Sequence, residues 1–145
     1  MNADFTTTFV VEQNPQEVFD AINRVSEWWQ GEIEGNTKNM NDVFVYRMQT
    51  FHSSTQKIIE LIPNKKVVWL VIESNLTFAK KVDEWTDTKI IFEIDVINNK
   101  TQVRFTHVGL VPQFECYKDC SGAWEQLVQK SLVSLIKTGK GKKVF

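Results

Sequence analysis

One long amphipathic segment at the end of the chain limits how the rest can fold. From about Tyr117 to Lys137, apolar residues recur at steps of three and four, which is the spacing of one helix face. The stripe consists of Tyr117, Cys120, Trp124, Leu127, Val128, Ser131, Leu132, Leu135 and Ile136. Gly139 follows, as is typical at a helix end. No other segment predicts a helix of this length, so this one has to cover the apolar face of any sheet in the chain.

Upstream of this helix, segments rich in β-branched and aromatic residues predict strands. They are residues 5–11, 43–49, 57–62, 67–73, 88–96 and 101–108. Apolar and polar residues alternate from Ile90 to Val96 and from Val103 to His107, as expected for strands with one buried face. Asn98-Asn99-Lys100 predicts a hairpin turn between these two strands, and Ile62-Pro63-Asn64-Lys65 predicts a second hairpin. The strands are therefore expected to pair antiparallel.

Two short helices are predicted between the first strand and the others. Asn14-Pro15 supplies a cap and a proline suited to the first helical position, and apolar residues at helical spacing follow. Residues 25–29 form the second short helix, which Gly31 ends. The order of elements predicts an α+β fold in which a curved antiparallel sheet of about six strands wraps around the C-terminal helix. The length of 145 residues fits a single domain spanning 1–145.

Composition and charge exclude several classes of protein. The chain has 17 basic and 18 acidic side chains, and its net charge of -1 gives no general attraction to nucleic acid. No apolar run approaches the roughly 18–20 residues of a membrane span. The first residues lack the basic-then-apolar pattern of a secretory signal, so a cytoplasmic location is expected.

Motifs for metal, cofactor and nucleophilic chemistry are also missing from the sequence. Cys116 and Cys120 are the only cysteines, and neither a Cys-x-x-Cys pair nor a nearby histidine completes a zinc site. The chain has no nucleophile elbow, no phosphate-binding glycine loop and no dinucleotide fingerprint. We therefore expect neither a metal nor a cofactor.

Three segments in order carry a resemblance to a known family. Residues 59–69 (Ile-Glu-Leu-Ile-Pro-Asn-Lys-Lys-Val-Val-Trp) read as strand, proline turn and strand, and residues 84–92 (Glu-Trp-Thr-Asp-Thr-Lys-Ile-Ile-Phe) as a tryptophan-led strand. Residues 106–110 (Thr-His-Val-Gly-Leu) and 120–124 (Cys-Ser-Gly-Ala-Trp) read as a closing strand and helix. Together they resemble the START-like (SRPBCC, helix-grip) superfamily, and within it the branch of the activator of 90-kDa heat-shock-protein ATPase homologues. Asp87 stands where that branch is expected to have glycine.

The resemblance implies a hydrophobic cavity between the sheet and the last helix, which members of the superfamily use for lipids, hormones or polyketides. The residues predicted to line it are Tyr46, Trp69, Phe92, Phe105, His107, Trp124 and Val128. Ordinary core packing is the alternative for each, because five tryptophans and ten phenylalanines are enough to fill such a cavity. Trp28-Trp29 suits a gate to the cavity, a partner surface, or one buried ring with the other covering the sheet edge.

His107 is the candidate for chemistry. It shares strand parity with Val103 and Phe105, so it is predicted to point inward near a strand end, where an imidazole can orient a ligand or transfer a proton. A hydrogen-bonded structural histidine is the alternative. Polar residues that fit near a cavity mouth are Tyr46, Arg47, Glu60 and Tyr117.

Three functions remain open from the sequence. The first is binding of an apolar small molecule, such as a lipid, a sterol or a polyketide-like compound, in the cavity. The second is an enzyme of the cyclase or hydrolase type that uses His107 with Tyr46 or Glu60. The third is a protein-interaction module, for example a chaperone partner, that uses the outer sheet face and the basic residues Lys140, Lys142 and Lys143.

Overall fold

The computed structural model describes residues 4–29, 31–48, 52–76, 85–112 and 117–142. Its elements are β1 (Phe5–Val11), α1 (Pro15–Asn23), α2 (Val25–Trp28), β2 (Glu32–Gly35), β3 (Val43–Met48), β4 (His52–Ile62), β5 (Lys66–Leu76), β6 (Lys89–Ile97), β7 (Lys100–Val108), α3 (Tyr117–Gln126), a π-helical segment (Leu127–Leu132) and α4 (Val133–Thr138). The last three follow one another directly and form the C-terminal helix. Among the predicted features, Gln49, Cys116 and Lys143 lie outside the described residues.

The strands form one antiparallel sheet of seven, in the order β1-β7-β6-β5-β4-β3-β2. The predicted α+β helix-grip architecture is confirmed, with the long helix at the end and two short helices after the first strand. The sheet has one strand more than the six expected. The additional strand is β2, which was not predicted because it holds only four residues and Ile33 is its one large apolar residue. Two register shifts in β4, at Thr55/Gln56 and at Ile58/Glu60, bend this part of the sheet.

Local sequence explains the hairpins and the helix end. Asn98 and Asn99 have φ angles of 51° and 66°, and they form the two-residue turn that joins Ile97 to Lys100. A type I′ hairpin turn needs positive φ at both central positions, which asparagine tolerates. The predicted β6–β7 hairpin is therefore confirmed. Gly139, at φ 83°, ends the C-terminal helix as predicted.

The core lies between the concave face of the sheet and the helices. On β7, Val103, Phe105 and His107 are fully buried, as their alternation predicted. The predicted helix stripe is also buried from Cys120 to Ile136, and Tyr117 is half-buried at its start. No helix in the described part of the chain is long and apolar enough to cross a membrane. The same residues contain no group of three or more histidine, cysteine or acidic side chains able to hold a metal ion.

Candidate functional site

A pocket of about 520 Å³ opens between the ends of β3 and β4, the residue after α2 and the first half of the C-terminal helix. The described residues that line it are Trp29, Tyr46, Met48, His52, Trp85, Asp119, Cys120, Ala123, Trp124 and Leu127. Most of these side chains are apolar, and Asp119 is the one carboxylate among them. The volume lies in the range of about 300–1,000 Å³ that is typical of small-molecule sites.

Five rings in the pocket wall contact one another in a closed circuit, and we call them the aromatic pentad. Trp29 lies 5.2 Å from Trp124 and 4.5 Å from Tyr46, measured between ring centroids. His52 lies 5.1 Å from Tyr46 and 4.7 Å from Trp85. Trp85 closes the circuit by stacking on Trp124 at 5.8 Å. Four of the five contacts are edge-to-face, the geometry that aromatic quadrupoles favour, so the pentad is a defined wall of the pocket.

A chain of buried hydrogen bonds supports the pentad from behind. Trp124 Nε1 donates to His107 Nδ1 at 3.0 Å. An indole can only donate, so Nδ1 is the unprotonated nitrogen and Nε2 carries the hydrogen of the neutral ring. His107 Nε2 therefore donates to Thr88 Oγ1 at 2.8 Å, and Thr88 Oγ1 donates to the carbonyl oxygen of Trp85 at 2.6 Å. These hydrogen bonds fix two residues of the pentad, Trp124 and Trp85, relative to β7.

Burial keeps the titratable rings of the site uncharged. It lowers the pKa of His107 to about 3, an effect to which charge on His52 adds. Burial also lowers the pKa of His52 to about 4. It raises the pKa of Tyr46 to about 12. At neutral pH Tyr46 and His52 in the pocket wall, and His107 behind it, are therefore uncharged, and Asp119 is the one carboxylate among the described lining residues.

Three ring nitrogens of the residues that line the pocket have no hydrogen-bond partner among the described residues. They are Trp29 Nε1, Trp85 Nε1 and His52 Nε2, all of them buried. Trp124 Nε1, in the same pentad, has His107 as its acceptor. A buried polar group left without a partner costs about 1–3 kcal/mol of folding free energy. The site therefore holds polar groups that the described part of the chain does not satisfy.

The residues predicted to contact a ligand fall into two layers. Tyr46 and Trp124 line the pocket. The other five, which the described lining does not include, are fully buried: Trp69, Phe92, Phe105, His107 and Val128. Most of them support the lining, since Trp69 contacts Trp29 at 5.8 Å and Phe105 contacts Trp124 at 4.6 Å. The ligand contacts themselves stay predictions.

The predicted polar residues of the mouth are dispersed. Arg47 pairs with Glu34 at 2.7 Å, and Glu60 pairs with Lys66 at 3.6 Å. Neither Arg47 nor Glu60 is among the described residues that line the pocket, and the third candidate for the mouth, Tyr117, is not among them either. The structure thus brings only Tyr46 of the proposed polar set to the pocket.

Sequence reasoning missed two of the five pentad residues, His52 and Trp85, as pocket residues. His52 was missed because β4 was predicted to begin at residue 57, and residues 52–56 are polar without an alternating pattern. Trp85 was part of a quoted motif but was not assigned to the cavity, since it precedes its strand. Trp29 was considered as a gate, a signal that did point towards the site. Trp28 and Trp29 are both buried, which excludes a partner surface for either ring.

Comparisons with known proteins identify the fold. No protein-family model matches the chain, and no curated protein matches it in sequence. Among solved structures it is similar to the Aha1 dimer from Colwellia psychrerythraea, at 24% identity and a TM-score of 0.76, over 96% of this chain and 99% of that chain.

Two further solved structures, of proteins named DynU16 and CalU16, are also similar to this chain. DynU16, from the dynemicin biosynthetic locus, has 12% identity and a TM-score of 0.70, and the match covers 99% of this chain but 51% of that one. CalU16 from Micromonospora echinospora has 12% identity and a TM-score of 0.63, over 92% of this chain and 76% of that one. The resemblance predicted from the sequence is confirmed at the level of the fold: the chain has a helix-grip fold and is similar to an Aha1 structure over nearly its whole length.

Proposed function

We propose that this domain binds an apolar small molecule in the pocket lined by the aromatic pentad. The observation that carries the proposal is the pocket itself, about 520 Å³ in volume with an almost wholly apolar lining. An apolar pocket of this size gives water too few hydrogen-bond partners. A bound apolar molecule would remove the remaining apolar surface of the pocket from water, at roughly 25 cal/mol per Å² of buried apolar surface.

The test is binding of an environment-sensitive apolar probe, N-phenyl-1-naphthylamine, followed by its fluorescence. Ala123 faces the pocket from α3, so Ala123→Trp should fill part of the volume and abolish binding. Lys130→Trp is the matched control, because it adds the same side chain at an exposed position of the same C-terminal helix. The proposal fails if the wild type does not bind the probe, or if both variants bind it equally.

No observation on the described residues favours a second function for the pocket. His107 is fully buried and both of its ring nitrogens already have hydrogen-bond partners, so its geometry favours an anchoring role over proton transfer to a substrate. For a protein-interaction module, Lys140 and Lys142 are exposed, but no complementary feature of the described chain specifies a partner. A chaperone partner and a cytoplasmic location stay predictions from the sequence.

A further inference from the structure

The two edge strands of the sheet differ in their protection against pairing with another strand. β2 is four residues long, carries Glu32 and Glu34, and ends at Gly35. β1, at the other edge, runs for seven residues from Phe5 to Val11 without a charged residue or a proline. Short length, charge and proline are devices by which natural proteins keep an edge from pairing. The sequence of β1 has none of the three.

Backbone direction decides which groups of β1 face away from the sheet. Phe5 N donates to the carbonyl oxygen of Leu110, just beyond the end of β7, at 2.9 Å. The backbone groups of successive residues in a strand point to opposite sides, so those of Thr6, Thr8 and Val10 point away from β7. The side chains of the same three residues are exposed. The outer edge of β1 therefore presents N–H and C=O groups from three residues.

Gln129, on the C-terminal helix, shows that this edge accepts a hydrogen bond from outside the sheet. Its Nε2 donates to the carbonyl oxygen of Thr8 at 2.8 Å and to Thr7 Oγ1 at 2.8 Å. The side-chain amide thus occupies the place that the N–H group of a neighbouring strand would take. Thr6 and Val10 lie two residues away in each direction and face the same side. An added strand can replace the single bond from Gln129 by several backbone bonds.

Charge at the two ends of β1 specifies the direction and the composition of such a strand. Asp4 is exposed just before β1 begins. At the other end, Lys100 and Lys137 line a crevice together with Val10 and Glu12, so that the lysines outnumber the acid. An antiparallel strand places its N-terminal end beside the two lysines and its C-terminal end beside Asp4. An acidic residue at its start and a basic residue at its end therefore complement the edge.

We propose that the β1 edge binds an extended peptide segment, which adds antiparallel to the seven-stranded sheet as an eighth strand. The segment is uncharged and β-branched in its middle, acidic at its N-terminal end and basic at its C-terminal end. Backbone hydrogen bonds to Thr6, Thr8 and Val10 hold it, and the side chain of Val10, which is 48% exposed, packs against it. This surface is separate from the pocket, because none of the described lining residues belongs to β1.

A capped peptide, acetyl-Glu-Thr-Val-Thr-Val-Thr-Lys-amide, tests the proposal by titration into ¹⁵N-labelled protein at low ionic strength. The expected Kd is about 0.1–1 mM, since one added strand buries less than the roughly 1,200 Å² of a standard interface. The matched control is the same peptide with its terminal Glu and Lys exchanged, which should bind several-fold more weakly because each end then meets a like charge.

N-methylated peptides separate backbone pairing from side-chain contact. One peptide carries N-methyl groups on its two valines, and a second carries them on its last two threonines. Amides at alternate positions of a strand face opposite sides, so one set faces β1 and the other faces solvent. One peptide should therefore lose binding while the other retains it. Loss of binding with both peptides, or with neither, overturns the proposal.

Hydrogen exchange in the wild-type protein provides a readout that needs no variant. The amides of Thr6, Thr8 and Val10 should exchange rapidly in the free protein and become protected when the peptide is bound. Those of Thr7 and Phe9, which face β7, should be protected in both states. Peptide-induced protection elsewhere on the protein, without protection of the three edge amides, would place the binding on another surface and refute the proposal.

A pair of variants assigns the binding to one N–H group. Val10→Pro removes an amide on the free side of an edge strand, where proline is tolerated, and should weaken peptide binding about tenfold. Val10→Thr is the matched control, because it keeps both the N–H group and the branched side chain, and it should bind as the wild type does. Equal binding by Val10→Pro and Val10→Thr contradicts the proposal.

Two further results would also overturn it. One is the absence of peptide binding at millimolar concentrations. The other is a wild-type dimer in sedimentation equilibrium that the peptide does not dissociate, since a second copy of the chain would then occupy the edge. Binding of N-phenyl-1-naphthylamine should be unchanged by the peptide and by both variants, so the pocket and the β1 edge are tested independently.

Discussion

His107 shows how one buried residue connects the sheet to the helix. It lies on β7, and its ring receives a hydrogen bond from Trp124 on α3 and donates one to Thr88 just before β6. The sequence predicted the inward direction correctly from strand parity. Its two partners could not be predicted, because they are 17 and 19 residues away along the chain and only the fold brings them together.

Removal of the imidazole should therefore affect stability strongly. His107→Leu keeps a similar volume but leaves the indole N–H of Trp124 without an acceptor, so we expect a loss of about 2–3 kcal/mol in the free energy of unfolding. Adding Trp124→Phe removes that stranded donor, and the double variant should lose less than the sum of the two single variants. Urea unfolding of the four proteins measures this coupling. Simple additivity would contradict the hydrogen bond between the two rings.

The pH dependence of stability follows from the same burial. His52 and His107 are the only histidines of the chain, and burial lowers the folded-state pKa of both, to about 4 and about 3. In the unfolded chain their pKa is about 6.5, so the unfolded state takes up protons first as the pH falls. Stability is therefore complete above about pH 6.5 and declines below it, by up to about 1.4 kcal/mol per pH unit for each histidine.

Unfolding in urea at pH 7, 6 and 5 measures this decline. The steepest loss is expected between pH 6 and pH 5, where the unfolded histidines are protonated and the folded ones are not. His107→Leu should reduce the slope by about half, because one of the two titrating groups is gone. Equal stability at pH 7 and pH 5 would show that the two rings are hydrated in the folded protein.

At the scale of elements, the best predictions came from residues with strong local signals. The β6–β7 hairpin and the C-terminal helix were predicted from asparagine turns and from apolar spacing, which act within a few residues. The start of β4 was wrong by five residues because 52–56 are polar, and pairing with β3 and β5 extends the strand there. The π-helical segment from Leu127 to Leu132 was not predicted either, since a wider turn leaves the apolar stripe nearly unchanged.

The end of the C-terminal helix is held to α2 by close packing. Ser131 Oγ donates to the carbonyl oxygen of Trp28 at 2.6 Å and accepts from the backbone N–H of Lys142 at 3.1 Å. Gly141 lies close to Ser131 and Trp28. A Cβ atom at this position would collide with the carbonyl oxygen of Glu27. This contact sets the position of α2, which is followed directly by Trp29 of the pentad.

Replacement of each of two glycines by alanine tests this packing. Gly141→Ala should lower the free energy of unfolding by about 1–3 kcal/mol, because backbone atoms must move to admit the methyl group. Gly122→Ala is the matched control: it lies in α3, where a Cβ atom would meet nothing within 4 Å. That change should raise stability by about 0.5–1 kcal/mol through helix propensity. Equal effects at the two positions would refute the contact with Glu27.

At the scale of the whole molecule, the pocket is a composite of distant segments. Its pentad comes from the residue after α2, from β3, from β4, from the residues before β6 and from α3. Periodicity predicted which side chains face inward, and Trp124 was placed at the cavity on that basis, whereas Tyr46 was placed near the cavity mouth as a polar residue. It could not distinguish a lining ring from one packed behind it, because Trp69 and Trp124 are both inward-facing and buried. That distinction depends on the gap between sheet and helix, which no local pattern encodes.

Binding in this pocket should stabilise the folded protein as a whole. A ligand present at about one hundred times its dissociation constant adds about 2.7 kcal/mol, which corresponds to a rise of roughly 5–11 °C in Tm for a domain of this size. Because the proposed ligand is apolar and the pentad is neutral, the rise caused by N-phenyl-1-naphthylamine should be the same at 50 mM and 500 mM NaCl. Differential scanning calorimetry of the wild type and of Ala123→Trp measures both effects. A rise that persists in Ala123→Trp, or that disappears in high salt, would place the binding on the exposed charged surface instead of between the sheet and the C-terminal helix.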